Sequence, residues 1–221
     1  MNTLIIYCHP HADSHNAKIL SAVKEGLHAA GTDYSVIDLY GSGFEPRLSG
    51  IAYERMFISR DKTVEADVRD MQARVSRAHN LVFIYPVWWY GMPASLKGFV
   101  DRVFTQGFAY KFFKVNRLML FCGDLASRVP GLRFFMQPHA ATGMLKGKRA
   151  YIFRTYGGPA MGRRIFGHPQ RQLEHAVLRF CGITKIRIHE LFNVNKSVYS
   201  QAYEKRYLDR ARTIATSIRN A

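Results

Sequence analysis

Short apolar runs that alternate with longer stretches of helical spacing constrain the fold of this chain more than any other feature. The runs cover residues 3–8, 34–39, 80–85, 149–155 and 184–192. They are rich in β-branched and aromatic residues, which favour strands. Strands that are apolar throughout are typical of parallel sheets with helices on both faces. The sequence therefore predicts an α/β fold built on a doubly wound, five-stranded parallel sheet.

Helices are predicted between these strands from apolar residues spaced three and four positions apart. The predicted helices cover residues 14–30, 63–78, 95–104, 170–180 and 201–219. Gly31 follows the first of them, as a C-terminal capping glycine would. Residues 40–51 are rich in glycine, serine and proline, which predicts a loop.

The length and composition favour one globular domain. A chain of 221 residues can bury one large α/β core. Its 48% apolar and 22% charged residues exclude a disordered protein. We therefore expect a single domain over residues 1–221, with an extended excursion at about 111–147 that fits no clear pattern.

The cysteines and the N-terminus favour a cytoplasmic protein. Cys8, Cys122 and Cys181 are widely spaced and show no metal-binding pattern. Disulfides are therefore not expected, and Cys8 and Cys181, which lie in apolar patterns, are predicted to be buried. The N-terminus lacks the features of a signal peptide, and no apolar run is long enough to span a membrane.

The net charge of +16 leaves two interpretations open. The basic surface could attract an anion such as a phosphorylated cofactor, a membrane surface or a nucleic acid. It could equally be a solvated surface without a partner. No nucleic-acid-binding motif accompanies the charge, so we do not expect a nucleic-acid partner.

Three unusual loops follow predicted strands one, three and four. They are His9–Asn16, Pro86–Gly91 and Thr155–Gly158. Ligands of doubly wound sheets bind at the carboxyl ends of the strands, where such loops meet. We therefore expect the three loops to form one site.

The residue types in the first two loops suit a ligand with an anionic end and a flat apolar end. The loop with Ser14 and Asn16 precedes a helix, whose first amide groups lack partners and attract anions such as phosphate. Trp88 and Trp89 lie on a turn between two prolines and offer a flat apolar wall with nearby amide donors. Capping and core packing are the alternative interpretations of the two loops.

Several segments resemble the flavodoxin-like NAD(P)H:quinone oxidoreductases. This group includes quinone reductases, modulators of drug activity and ancillary reductases of potassium-efflux systems. The resemblance rests on YCHPHADSHNAKIL, LVFIYPVWWYGMPASLKGFVDRVFTQGFAY and TYGGP, which occur in the family's order. It implies a sheet of strand order 2-1-3-4-5 and a homodimer with FMN or FAD at the subunit interface. NAD(P)H would reduce the flavin, which would then pass two electrons to a quinone.

The resemblance also implies which residues form the site. The family's phosphate loop falls on His9, Asp13, Ser14, His15 and Asn16. Its flavin-ring loop falls on Pro86, Val87, Trp88, Trp89 and Tyr90. Its second flavin turn falls on Thr155, Tyr156, Gly157 and Gly158. No metal ligands are implied.

Catalytic residues are expected near the glycine pair Gly157-Gly158. Well-studied members place a tyrosine and a histidine after the pair, whereas this chain has Arg163 at the tyrosine position and His168 as the nearest histidine. The candidate catalytic residues are His168 and Tyr156, which directly precedes the pair and could donate a hydrogen bond. An alternative function is that of a flavin-binding regulatory subunit, which would contact a membrane transporter through the basic surface.

Overall fold

A five-stranded parallel sheet forms the centre of the protein. The computed structural model describes residues 2–59, 63–113, 121–122, 125, 128, 140–166, 171–194 and 200–218. The strands of the sheet are β1 (Thr3–Tyr7), β2 (Tyr34–Asp38), β3 (Asn80–Pro86), β6 (Arg149–Thr155) and β7 (Lys185–Leu191). Their order is β2-β1-β3-β6-β7, and every pair is parallel. The predicted fold class and strand order are confirmed.

The helices lie between the strands along the chain. The longer ones are α1 (His15–Ala29), α3 (Ala66–Arg77), α4 (Ala94–Val103) and α6 (Gln201–Thr216). The shorter ones are α2 (Gly50–Tyr53), which continues as a π-helical turn (Glu54–Ile58), and α5 (Gly162–Phe166). Residues Arg171–Arg179 form a π-helical segment where the sequence predicts an α-helix.

Two apolar cores cover the two faces of the sheet, because successive strand residues point to opposite sides. Leu4 and Leu81 face the core shared with α3 and α4, whereas Ile5 and Val82 face the core shared with α1 and α6. Burial of each such side chain contributes about 1.5–3 kcal/mol. This double coverage explains why the central strands β1 and β3 are mainly apolar, whereas the edge strands β2 and β7 also carry polar residues.

Glycines permit a close helix contact and a tight helix end. A Cβ atom on Gly26 of α1 would lie 2.3 Å from the carbonyl oxygen of Arg212 on α6, so the two helices can pack this closely only with glycine there. Gly31 has a φ of 61°, which confirms the left-handed end predicted for α1.

The excursion at 111–147 begins and ends in a small antiparallel sheet that the sequence did not predict. Strand β4 (Tyr110–Phe113) pairs with β5 (Ala140–Gly143). Most of the excursion between them lies outside the described residues. Cys8 and Cys181 are buried as predicted, and Cys122 is exposed. No helix within the described ranges is long and apolar enough to cross a membrane.

His189 on β7 should make stability depend on pH. Burial, together with the charges of Arg210 and Arg187, lowers the pKa of His189 from 6.5 to about 4. Between these values the unfolded chain binds a proton that the folded protein does not bind, so stability falls as the pH falls. We expect the free energy of unfolding, measured with urea, to decrease from pH 7 to pH 4.5.

Replacement of His189 should reduce this acid sensitivity. His189→Phe would place a ring beside Phe153, whose ring centroid lies 5.0 Å from that of His189. The variant should lose less stability than the parent over the same pH range. The exposed His175 provides the control, since His175→Phe should retain the full dependence. An equal loss in His189→Phe and the parent would contradict the prediction.

Candidate functional site

An open cleft lies at the carboxyl edge of the sheet, where the three predicted loops converge. Its volume is about 410 Å³. Most of the predicted binding residues line it, and one further residue, Val194, comes from the chain after β7. The lining residues are His9, Ser14, His15, Asn16, Pro86, Val87, Trp88, Trp89, Thr155, Gly157 and Val194.

Thr155 joins the three loops at the floor of the cleft. Its side-chain oxygen accepts a hydrogen bond from Asn16 Nδ2 at 2.9 Å. Its carbonyl oxygen accepts one from the amide of Val87 at 2.8 Å. The first loop and the aromatic turn are therefore both bonded to the same residue at the end of β6.

One end of the cleft is the N-terminus of α1. Ser14 is the N-cap residue, and its hydroxyl oxygen accepts from the Ala17 amide at 3.1 Å. The remaining first-turn amides carry the positive end of the helix dipole. Asn16 is buried, and its Oδ1 atom, which is an acceptor, has no hydrogen-bond partner. The first-turn amides are donors, so they can hold an anionic group at this end of the cleft.

His15 extends this end of the cleft toward α6. Its Nδ1 atom lies 2.8 Å from a carboxylate oxygen of Glu204, and Lys18 Nζ lies 3.0 Å from the same oxygen. Glu204 is buried on α6. The C-terminal helix thus fixes the orientation of a residue in the first loop, a contact for which the sequence gives no local signal.

His9 connects the first loop to the aromatic turn. Its ring centroid lies 6.3 Å from that of Trp88. Its Nδ1 atom lies 3.0 Å from the amide nitrogen of His11 and 3.2 Å from the carbonyl oxygen of the same residue. Burial lowers the pKa of His9, which favours the uncharged ring.

The other end of the cleft is a tight aromatic turn. Trp88 and Gly91 exchange backbone hydrogen bonds of 3.2 and 2.9 Å, which leaves Trp89 and Tyr90 as the two central residues. Their φ angles are 50° and 55°, a conformation that L residues rarely adopt. Trp89 is fully exposed and Trp88 is 42% exposed. The turn thus holds two indole rings in positions that a ligand could reach.

The aromatic turn is supported from behind. Gln172, on the π-helical segment, accepts a hydrogen bond from the Met92 amide at 3.3 Å. A Cβ atom on Gly162, the first residue of α5, would lie 2.1 Å from the Tyr90 hydroxyl. Tyr90 therefore packs against α5 and does not line the cleft.

The turn after β6 leaves space beside the backbone. A Cβ atom on Gly157 or Gly158 would meet nothing within 4 Å. The amide of Val194 donates to the Tyr156 carbonyl at 3.1 Å, which connects this turn to the chain after β7. A ligand could therefore approach the backbone at Gly157 closely.

Tyr156 points away from the cleft. It is buried, and its hydroxyl donates to Glu190 at 2.7 Å. Burial raises the pKa of this hydroxyl, which makes it a poor proton donor. Its position does not support the catalytic role that the sequence suggested.

The remaining predicted residues differ in where they lie. Asp13 is exposed at the start of α1, and neither it nor Gly158 is among the residues that line the cleft. His168 lies outside the described residues, as does the side chain of Arg163. A catalytic role for His168 stays a prediction.

Sequence reasoning missed Val194 and a buried group around Arg154. Val194 follows β7 in a stretch without glycine or proline. Arg154 is fully buried and contacts Glu174 and Glu190. The available signal was an arginine that directly follows the apolar residues AYIF within a predicted strand.

Comparisons with known proteins agree with this architecture. A profile of the family described as having a flavodoxin-like fold matches residues 1–214. The ribosyldihydronicotinamide dehydrogenase [quinone] of Rattus norvegicus is 31% identical over 205 residues, which cover 81% of this chain and 76% of the relative. An uncharacterized NAD(P)H oxidoreductase of Haemophilus influenzae is 28% identical over 197 residues, with 87% of this chain and 83% of the relative covered.

A solved structure extends the similarity to three dimensions. The NAD(P)H:quinone oxidoreductase from Methanothermobacter marburgensis is 25% identical and superposes with a TM-score of 0.78. The match covers 100% of this chain and 98% of that structure. The chain therefore belongs to the flavodoxin-like family in which these quinone oxidoreductases are found.

Proposed function

We propose that this protein is a flavin-dependent NAD(P)H oxidoreductase that reduces quinones or similar acceptors by ping-pong, two-electron hydride transfer. The observation that carries the proposal is the cleft, which has a helix N-terminus at one end and two indole rings at the other. The names of the relatives in rat, Haemophilus and Methanothermobacter support the same activity.

The residues of the cleft fit a flavin mononucleotide. The amide donors at the α1 N-terminus, together with the Ser14 hydroxyl, suit the phosphate. Trp88 and Trp89 suit the flat ring, and the open space beside Gly157 suits its edge. FMN and FAD share these groups, and we name FMN because the described cleft offers one phosphate-binding end.

The flavin, when bound, would accept a hydride from NAD(P)H and deliver two electrons to the acceptor. The protein would supply orientation and charge. Trp88 and Trp89 would form one wall of the slot for both substrates, and the hydrogen bonds of Thr155 would hold the two ends of the cleft at a fixed spacing. His9 would contact the ring end beside Trp88.

A homodimer is also part of the proposal. A second cavity of about 320 Å³ is bordered by the exposed aromatic residues Phe57, Phe112 and Phe180. A second copy of the chain would remove these rings from water, which favours association. No contact among the described residues favours the alternative of a transporter subunit.

The purified protein should contain flavin and turn over quinone. We expect a yellow protein whose heat-released cofactor is identified as FMN by mass spectrometry. Initial rates with NAD(P)H and a quinone should give the parallel reciprocal plots of ping-pong kinetics. A protein that is colourless, and that gains no flavin on reconstitution, would refute the proposed function.

Loss of the Trp89 ring should weaken flavin binding. Trp89→Asn removes the indole, and asparagine tolerates the left-handed backbone found there. We expect the flavin Kd, measured by fluorescence titration, to rise about tenfold, which corresponds to about 1.4 kcal/mol of lost stacking.

Tyr53 offers a matched control for this substitution. It is a large aromatic residue that is 49% exposed and does not line the cleft. Tyr53→Asn should leave the flavin Kd unchanged. Equal Kd values for Trp89→Asn and the parent protein would show that the aromatic turn is not the ring-binding wall.

A further inference from the structure

A row of polar side chains crosses three neighbouring strands of the sheet near their carboxyl ends. Tyr85 on β3 pairs in register with Arg154 on β6, which pairs in register with Glu190 on β7. Arg154 is completely buried, and Tyr85 is 1% exposed. Charged residues are almost never fully buried without partners, so this row needs an explanation.

Arg154 bridges two carboxylates from different elements. Its Nη1 atom donates to Glu174 on the π-helical segment at 2.7 Å, and its Nε atom donates to Glu190 at 2.9 Å. Glu174 is itself 2% exposed. Tyr156 completes the group, because its hydroxyl donates to the same oxygen of Glu190.

Stability alone does not account for this group. Desolvation costs several kcal/mol per ion, and buried ion pairs can often be replaced by apolar residues without loss of stability. An apolar row would also match the middle of β3 and β6, where Val82, Phe83 and Phe153 are fully buried, although Asn80 and Thr155 at the strand ends are buried polar residues. The group is better explained by the orientation that a planar guanidinium imposes on its partners.

The row lies directly beneath the cleft. Pro86 and Thr155, which line the cleft, immediately follow Tyr85 and Arg154 in their strands. The π-helical segment that carries Glu174 also carries Gln172, which accepts a hydrogen bond from the amide of Met92, the residue directly after the aromatic turn. Arg154 therefore connects Thr155, at the floor of the cleft, to the π-helical segment that supports the aromatic turn.

We propose that Arg154 is a positioning residue that fixes the aromatic turn relative to the floor of the cleft. Arg154 positions the aromatic turn through its bond to Glu174 on the π-helical segment. It positions Thr155 through the backbone of β6, which both residues share. The inference rests on the proposed function in one respect, namely that the group oriented between wall and floor is a flavin.

A double substitution tests this role without changing the local net charge. Arg154→Met combined with Glu174→Leu removes one cation and one anion and fills the space with apolar side chains. Glu190 keeps the Tyr156 hydroxyl as a donor and is 13% exposed at its side chain, so it does not become an isolated buried charge. We expect the double variant to fold.

Arg102 provides a matched control. It is also a buried arginine between two carboxylates, Glu65 and Asp67, but it lies at the end of α4 remote from the aromatic turn. Arg102→Met should lower the melting temperature and leave the cleft unchanged. A purely structural role for Arg154 would give the same result.

The two tryptophans of the chain allow a measurement that does not depend on flavin. Both lie in the aromatic turn, so intrinsic fluorescence and its quenching by acrylamide report on that turn alone. In the flavin-free protein, the double variant should show altered emission and quenching, whereas Arg102→Met should match the parent.

Measurements on the flavin-loaded protein complete the test. The double variant should show a changed visible circular dichroism band of bound flavin and a roughly 100-fold slower reduction by NAD(P)H in stopped flow, as expected for a misplaced reactant. If the double variant matches the parent in tryptophan quenching, dichroism and reduction rate, the positioning role is refuted. If the parent binds no flavin but the quenching changes as expected, the proposed function fails and the positioning of the turn stands.

Discussion

The parallel register of the central strands is the constraint on which the rest of the structure depends. Pro86, Thr155 and Leu191 end three neighbouring strands in register, so the loops that follow leave the sheet at one edge. Helices on both faces exclude water from the strands and leave that edge as the place where polar backbone groups remain available. The cleft is a consequence of this geometry.

Two interactions convert the shared edge into a defined site. Thr155 bonds both the first loop and the aromatic turn, which sets the distance between the helix N-terminus and the indole rings. The turn itself holds Trp89 and Tyr90 at positive φ, a strained arrangement that its backbone bonds and Gln172 maintain. A site for a ligand with an anionic end and a flat end needs this kind of fixed spacing.

Much of the fold was predictable because the strands carry a strong local signal. The five apolar runs correspond to the five strands of the sheet, and Gly31 correctly marks the end of α1. The small sheet of β4 and β5 was not predictable, since short partly exposed strands depend on their pairing partner more than on their own residues. The π-helical form of residues 171–179 was missed because its apolar spacing resembles that of an α-helix.

The sequence by itself determined the strands and the apolar character of the central ones, the glycine-rich and aromatic loops, and the meeting of those loops at one edge. These properties follow from local residue types and from the general geometry of parallel sheets. Only the tertiary structure decided that Tyr156 points inward to Glu190, that Glu204 orients His15, and that Arg154 bridges Glu174 and Glu190. Side-chain direction and partners depend on contacts between residues distant in sequence, and no local pattern specifies them.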